Sequence, residues 1–320
     1  MPDSTTPITI GDLPAQHAQS PKTEAQARAR FFNPGNAFNV ILPPVPDTAF
    51  SIEPEKALSS ETPTGFIPCD ASNVMECGFP ATSPLVLAGY TKIKAGDTWE
   101  TTPRASGAVQ YVIQGSGKSI IGDEIIEWNA GDLFITPGGV GHAHSANDDA
   151  VLWVVTNEPQ FRHEHAQPPA LGDAPTPVVH CTAEEIERQI DYLYEIGKDA
   201  EIPGTALIIS SDVQEASRNA LPTLTVAMNT LDPGVTQRPH RHNSVAVSLV
   251  VKGKNCYSTV DGKRKDWSPF ATTITPPVSV HSHTNAGDER CFFLIVQDGA
   301  SIITPALWAL SLLTSKGLWK

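Results

Sequence analysis

The sequence predicts an all-β protein with two similar barrels in one chain, and three observations lead there. Short apolar runs of strand length, rich in β-branched residues, recur between Gly, Asp and Asn punctuation: LVLAGYTKI, AVQYVIQG, KSIIG, DLFITP and AVLWVVTN. A second set follows from Ala206, with ALIIS, LTVAMNTL, AVSLVVKG, ATTITP and CFFLIVQ. The two sets also align internally. QYVIQGSG (110–117) matches SLVVKGKN (248–255), and TPGGVGHAHSAN (136–147) matches TPPVSVHSHTNAG (275–287). Such a duplication of about 75–100 residues means two copies of one unit.

The elements follow in order. Residues 1–82 are polar and Pro-rich, and are expected to form an extended arm that wraps a neighbour or another subunit. Its one helical suggestion is Thr23–Phe32. The first barrel is expected over 83–160. A linker over 161–204 carries a helix at 182–197, where Thr182 and Glu185 form a capping box, Ile186, Ile190 and Leu193 share a face, and Gly197 closes the end. The second barrel is expected over 205–300, with a tail over 301–320.

Composition narrows the function. A net charge of −13 makes nucleic acid a poor partner. No apolar run approaches the ~20 residues needed to span a bilayer, and the N-terminus lacks a signal-like pattern, so a cytoplasmic protein is expected. The five cysteines are an odd, scattered set that fits reduced thiols. Cys256 and Cys291 are expected to be buried and inert.

The chemistry is expected in Pro239-His240-Arg241-His242 and His281-Ser282-His283. On a strand, residues i and i+2 share a face, so each pair can point into a barrel. Imidazoles converging from two neighbouring strands suit Fe, Zn, Cu or Ni. In the first copy, Thr102 and Arg104 align with His240 and His242, while His142 and His144 align with the second pair. No metal is therefore expected there, and His142 and His144 are read as core or pocket histidines. A third pair, His163-Glu164-His165, lies in a Pro-rich context with nothing to supply a third ligand. Trp153, Trp267 and Phe292–Val296 read as packing residues.

PHRHNSVAVSLVVKGKNCYSTVDGKR followed by ITPPVSVHSHTNAGDE resembles the two motifs of a cupin. More closely, it is similar to the bicupin dioxygenases that cleave the rings of gentisate, salicylate and 1-hydroxy-2-naphthoate. The resemblance implies two double-stranded β-helix, jelly-roll-like barrels. It also implies Fe(II) on His240, His242 and His281, with His283 beside the substrate as a proton-transfer group. Zn, Ni, Cu or Mn are the alternative metals. Many cupins add a Glu four or five residues after the His-x-His, but the first acidic residue after His242 is Asp261. The family's carboxylate-binding Arg, six residues past the second ligand, is replaced by Ser248. Arg104, Arg238 or Arg290 would have to take over, or the substrate lacks that carboxylate. The expected activity is oxygenation or cleavage of a hydroxylated aromatic or enolisable ring by dioxygen in a homo-oligomer, a dimer or tetramer. The alternatives are a cupin isomerase, cyclase or decarboxylase, and a non-catalytic ligand-binding bicupin.

Overall fold

The computed structural model describes residues 13–37, 44–197 and 205–298; the expected tail at 301–320 lies outside them. Two compact units divide the chain, 1–44 and 45–320. In the first, β1 (Gln16–His17) pairs with β2 (Arg30–Phe31) around helix α1 (Glu24–Ala27), and α2 (Pro34–Ala37) follows. The helix expected over Thr23–Phe32 shrinks to one turn. Thr23 caps it, but no residue of the turn is buried, and so short a helix has no stability of its own.

The second unit begins with β3 (Ala49–Phe50), α3 (Ile52–Leu58) and β4 (Gly65–Pro68). The first barrel follows as β5 (Leu87–Ile93), β6 (Thr98–Thr101), β7 (Gly107–Gln114), β8 (Ser116–Ile121), β9 (Glu124–Asn129), β10 (Leu133–Pro137), β11 (His142–Ala146) and β12 (Ala150–Thr156). Helix α4 (Glu158–His163), β13 (Val179–Cys181) and α5 (Ala183–Ile196) make the connection. The second barrel comprises β14 (Thr205–Ile209), β15 (Leu224–Leu231), β16 (Ala246–Lys252), β17 (Cys256–Val260), β18 (Lys263–Asp266), β19 (Thr272–Thr275), β20 (His281–Asn285) and β21 (Cys291–Asp298).

All pairings are antiparallel. The first barrel closes a six-stranded sheet, β13-β10-β7-β12-β5-β4, over a four-stranded one, β6-β11-β8-β9. The second closes β14-β15-β21-β16-β19-β3 over β18-β17-β20. The expectation of a separate arm reaching residue 82 needs correction. Phe50 is buried, β3 extends the second barrel by pairing with β19, and β4 extends the first by pairing with β5. Likewise β13, from the presumed linker, pairs with β10. Open sheet edges recruit these short segments, because an edge leaves backbone donors and acceptors unpaired.

The helix expected at 182–197 is α5. The Thr182 hydroxyl accepts from Glu185 N, but the Glu185 carboxylate turns to Arg188 and Gln189, so only half of the capping box forms. Ile186 and Ile190 are buried.

One apolar cluster joins the barrels, with Tyr90, Val109, Leu133 and Trp153 packing in the same core as Val226, Val247, Leu249, Ile274 and Leu294. Polar pins cross it. Tyr90 Oη donates to Phe270 O at 2.6 Å and lies 2.7 Å from Thr272 Oγ1, and Trp153 Nε1 donates to that hydroxyl at 2.9 Å. Val245, Val247 and Leu249 belong to this shared core. Strand alternation therefore turns Ala246, Ser248 and Val250 to the opposite face, the interior of the second barrel.

Candidate metal centre

Strand β20 carries the second histidine pair. Its partner β17 sets Val260 opposite His281, Ser258 opposite His283 and Cys256 opposite Asn285. The first pair is not on a strand, as the sequence had suggested. Only His240 is laddered, in a single bridge in which it exchanges both backbone hydrogen bonds with His281, at 2.9 and 2.8 Å. Pro239 has no N–H to give a ladder, and the register slips by one residue between Thr236↔Thr284 and His240↔His281. Such a bulge re-aims the side chains that follow.

That slip corrects the internal alignment. In the first barrel the residue opposite His142 is Thr101, not Thr102, so Thr101 is the counterpart of His240.

His240, His242 and His281 are brought together. Ring centroids lie 4.3 Å apart for His240–His281, 4.7 Å for His242–His281 and 6.2 Å for His240–His242. Each Nδ1 meets a backbone carbonyl: Arg238 O at 3.0 Å, Ser244 O at 2.7 Å and Ser279 O at 3.0 Å, respectively. A carbonyl only accepts, so each Nδ1 carries a proton, and a ring in its neutral form keeps its lone pair on Nε2. This outer hydrogen bond is the one that orients histidine ligands in metal sites. Burial pushes the pKa of His242 down and that of His281 down to about 4, so these rings are neutral near pH 7 and need lose no proton to bind a cation. The nearby Asp261 is committed to Val280 N. Among the described residues no group of three or more His, Cys, Asp or Glu side chains is placed so as to hold a metal ion. The three rings are neighbours, but they are not arranged around a common point as ligands.

His283 differs. It is buried beside Phe293, at 4.8 Å between centroids, and 5.9 Å from His281. Burial and the neighbouring histidines lower its pKa to about 3. Trp267 Nε1 donates to Ser258 Oγ at 2.8 Å, and that hydroxyl lies 2.8 Å from His283 Nδ1. Among the described residues Ser258 Oγ meets no other partner, so its own buried proton is satisfied only by donation to Nδ1. His283 therefore holds its proton on Nε2 and offers a donor where the other three rings offer lone pairs.

The first barrel repeats this relay without the centre. Trp128 Nε1 donates to Ser119 Oγ at 2.9 Å, and Ser119 Oγ lies 2.6 Å from His144 Nδ1. His142, the counterpart of His281, instead places Nε2 2.8 Å from Pro137 O and leaves Nδ1 buried without a partner. Arg104 donates to Ala166 O. His142 and His144 are both buried. His163 and His165 are exposed around the end of α4.

Ser248 is buried and lies opposite Thr273 and Ile295, one row from Ala246, Thr275 and Gln297. These interior rows are small, polar or apolar, and uncharged. None of the three arginines raised as substitutes faces them. Arg104 serves the first barrel and Arg238 is exposed. Arg290 pairs with Asp232 and Asp191 over the Tyr194 ring. Cys256 and Cys291 are buried, and burial pushes the Cys291 thiol up to about 12. Sequence reasoning missed Ser258 and Gln237 and read Trp267 as packing alone. The repeat carried a signal, because Trp128/Trp267 and Ser119/Ser258 recur at the same spacing as His144/His283.

Comparisons with known proteins bear on the two barrels. The cupin domain family matches residues 90–156 and 227–297. A 5-aminosalicylate 1,2-dioxygenase from Comamonas is 24% identical over 251 residues, covering 68% of this chain and 67% of that protein. A gentisate 1,2-dioxygenase from Haloferax is 36% identical over 64 residues, only 19% of this chain and 18% of the relative. The crystal structure of the salicylate 1,2-dioxygenase from Pseudaminobacter salicylatoxidans superposes with a TM-score of 0.67 at 16% identity, covering 86% of this chain and 89% of the other. With two cupin domains built on one repeated unit, the chain is a bicupin related to the gentisate, salicylate and 1-hydroxy-2-naphthoate 1,2-dioxygenases.

Proposed function

We propose that this bicupin is a non-haem Fe(II)-dependent dioxygenase that cleaves or oxygenates a hydroxylated aromatic or enolisable ring in its second barrel. The observation that carries this reading is the set of three histidines whose Nδ1 protons are all held by backbone carbonyls, which leaves Nε2 as the ligating nitrogen of each ring. His240, His242 and His281 would hold the iron. Ferrous iron supplies a redox-active Lewis acid with positions open to substrate oxygens and to dioxygen. The rest is the work of the chain. His283, with its proton on Nε2, donates to a substrate oxygen and can pass that proton on as charge develops. Trp267 and Ser258 hold this ring in one tautomer. Phe293 packs against this ring, and Ser248, Thr273 and Thr275 add no charge to the interior rows they line.

Relatives act on 5-aminosalicylate and gentisate by name, both of which carry a carboxylate. Ser248, in interior rows that hold no cation among the described residues, supports a less acidic phenol for this chain, because a buried unpaired carboxylate is costly. The test is metal content and oxygen consumption after anaerobic Fe(II) loading, across uncharged and carboxylated phenols. One equivalent of iron per chain and oxygen uptake with a phenol are expected. Two tightly held equivalents, full occupancy in His240→Ala, or turnover without oxygen uptake would overturn the reading.

A further inference from the structure

Gln237 precedes the histidines, and its Oε1 is buried with no protein partner. Its position follows from the backbone. Asn285 N donates to Val235 O at 2.9 Å and Gln237 N to His283 O at 2.8 Å, on either side of the Thr236–Thr284 bridge. The two threonine hydroxyls meet at 3.1 Å on one face. Residues opposite one another in an antiparallel pair share a face, so Gln237 and His283 share the other. That face is the barrel interior, since Val235, two residues earlier, packs against the cluster of Phe293, Cys256 and Trp267.

The first barrel serves as an internal control. There Thr98 and Ser145 make the equivalent hydroxyl contact at 2.9 Å, and the residue opposite His144 is Trp99, packed into the apolar cluster. In the barrel without a histidine triad this position is filled by an indole. In the barrel with one it holds a carboxamide whose carbonyl oxygen lacks a partner. An unpaired buried acceptor is unfavourable, so one that stands beside a site calls for a ligand donor.

We infer that Gln237 is a specificity-determining residue, and that with His283 it recognises an un-ionised hydroxyl group on the substrate ring. The hydroxyl donates its proton to Gln237 Oε1 and accepts from His283 Nε2–H. A carboxylate or a methyl ether has only acceptors and faces the Gln237 carbonyl with no proton to give. The inference rests on the second barrel holding a metal that takes the ring's other oxygens.

Three probes share one chelating pair of oxygens and differ in the adjoining group: pyrogallol, 3-methoxycatechol and 2,3-dihydroxybenzoate. Their affinities are read from the visible spectrum of the Co(II)-loaded full-length protein, with metal content measured alongside. Pyrogallol should bind about tenfold more tightly than 3-methoxycatechol, equivalent to about 1.4 kcal/mol, and 2,3-dihydroxybenzoate more weakly than pyrogallol. Gln237→Met keeps the length and removes the acceptor. It should retain metal and erase the preference for pyrogallol over the ether. Gln237→Asn should weaken the preference less. No preference in the parent protein, or an unchanged one in Gln237→Met, overturns the inference. Oxygen uptake by the Fe(II) protein is a separate readout. The preference without uptake removes the dioxygenase reading and leaves this one, and uptake without the preference does the reverse.

Discussion

The duplicated Trp–Ser–His relay permits one substitution to be made twice, once where chemistry is proposed and once where it is not. Ser258→Ala removes a hydroxyl that accepts from Trp267 Nε1 at 2.8 Å and meets His283 Nδ1 at 2.8 Å; Ser119→Ala does the same to Trp128 and His144 at 2.9 and 2.6 Å. Both serines are buried. Each variant strands one buried N–H and one buried ring nitrogen at about 1–3 kcal/mol apiece, and partial rearrangement brings the expected cost to about 2–4 kcal/mol in either barrel. Thermal denaturation should therefore show similar losses. Turnover should separate them. Without the Ser258 proton, His283 is free to adopt the other tautomer, and the Nε2–H leaves the site. We expect oxygen uptake by the Fe(II)-loaded protein to fall at least about tenfold in Ser258→Ala, with iron content unchanged. Ser119→Ala should keep its rate below its melting range, and Ser258→Thr, which restores a hydroxyl, should recover part of the loss. Equal loss of turnover in the two alanine variants, or none in Ser258→Ala, would refute the tautomer argument.

Three further outcomes are expected. His281→Ala should purify nearly metal-free, whereas His283→Ala should retain metal and lose turnover; metal analysis of both reveals an exchange of roles if the pattern inverts. Ser248→Arg should raise the ratio of kcat/KM on gentisate to that on hydroquinone, and efficient gentisate cleavage by the parent would contradict the neutral-pocket argument. Asp298, buried and accepting from Val245 N at 2.8 Å, has its pKa raised by burial to about 6. Its folded-state pKa exceeds the unfolded one, so its contribution is fully present below about pH 4 and is lost as pH rises through 6. Asp298→Asn should flatten stability over that window and stabilise the protein at pH 7 by on the order of 2–3 kcal/mol, which denaturant unfolding at a series of pH values measures.

The sequence was most legible where a pattern repeats. Two copies of the His-containing turn disclosed the duplication, and Thr182 disclosed the start of α5, because its hydroxyl bond depends only on residues three apart. It was least legible where structure is borrowed from distant residues. Ala49–Phe50 and Gly65–Pro68 are strands only because Thr272–Thr273 and Gly89–Lys92 present open edges to them. The site shows the same division. That His240, His242 and His281 would meet could be read from their spacing and the family resemblance. Which nitrogen each ring offers could not, since that depends on the path of the backbone at Arg238, Ser244 and Ser279.

The two barrels together show which features bear on chemistry. Because Trp128–Ser119–His144 persists where no histidine triad exists, the relay satisfies buried polar groups in its own right, and its presence in the second barrel is not evidence of catalysis. Function must be sought in what the copies do not share. Thr101 stands opposite His142 and His240 opposite His281, so one barrel has a hydroxyl where the other has a lone pair. His142 binds Pro137 O through Nε2, whereas His281 binds Ser279 O through Nδ1, so the ring faces its carbonyl with the opposite nitrogen. Trp99 fills the place that Gln237 leaves polar. The one-residue bulge before His240 links these differences, since it alters the path of the chain between Gln237 and the first ligand. Deleting one residue between Gln237 and His240 should restore the regular register of the first barrel, re-aim His240 and abolish metal binding, with a smaller effect on folding. If the shortened protein still binds one equivalent of metal, the bulge is incidental and the divergence of the barrels lies in the side chains alone.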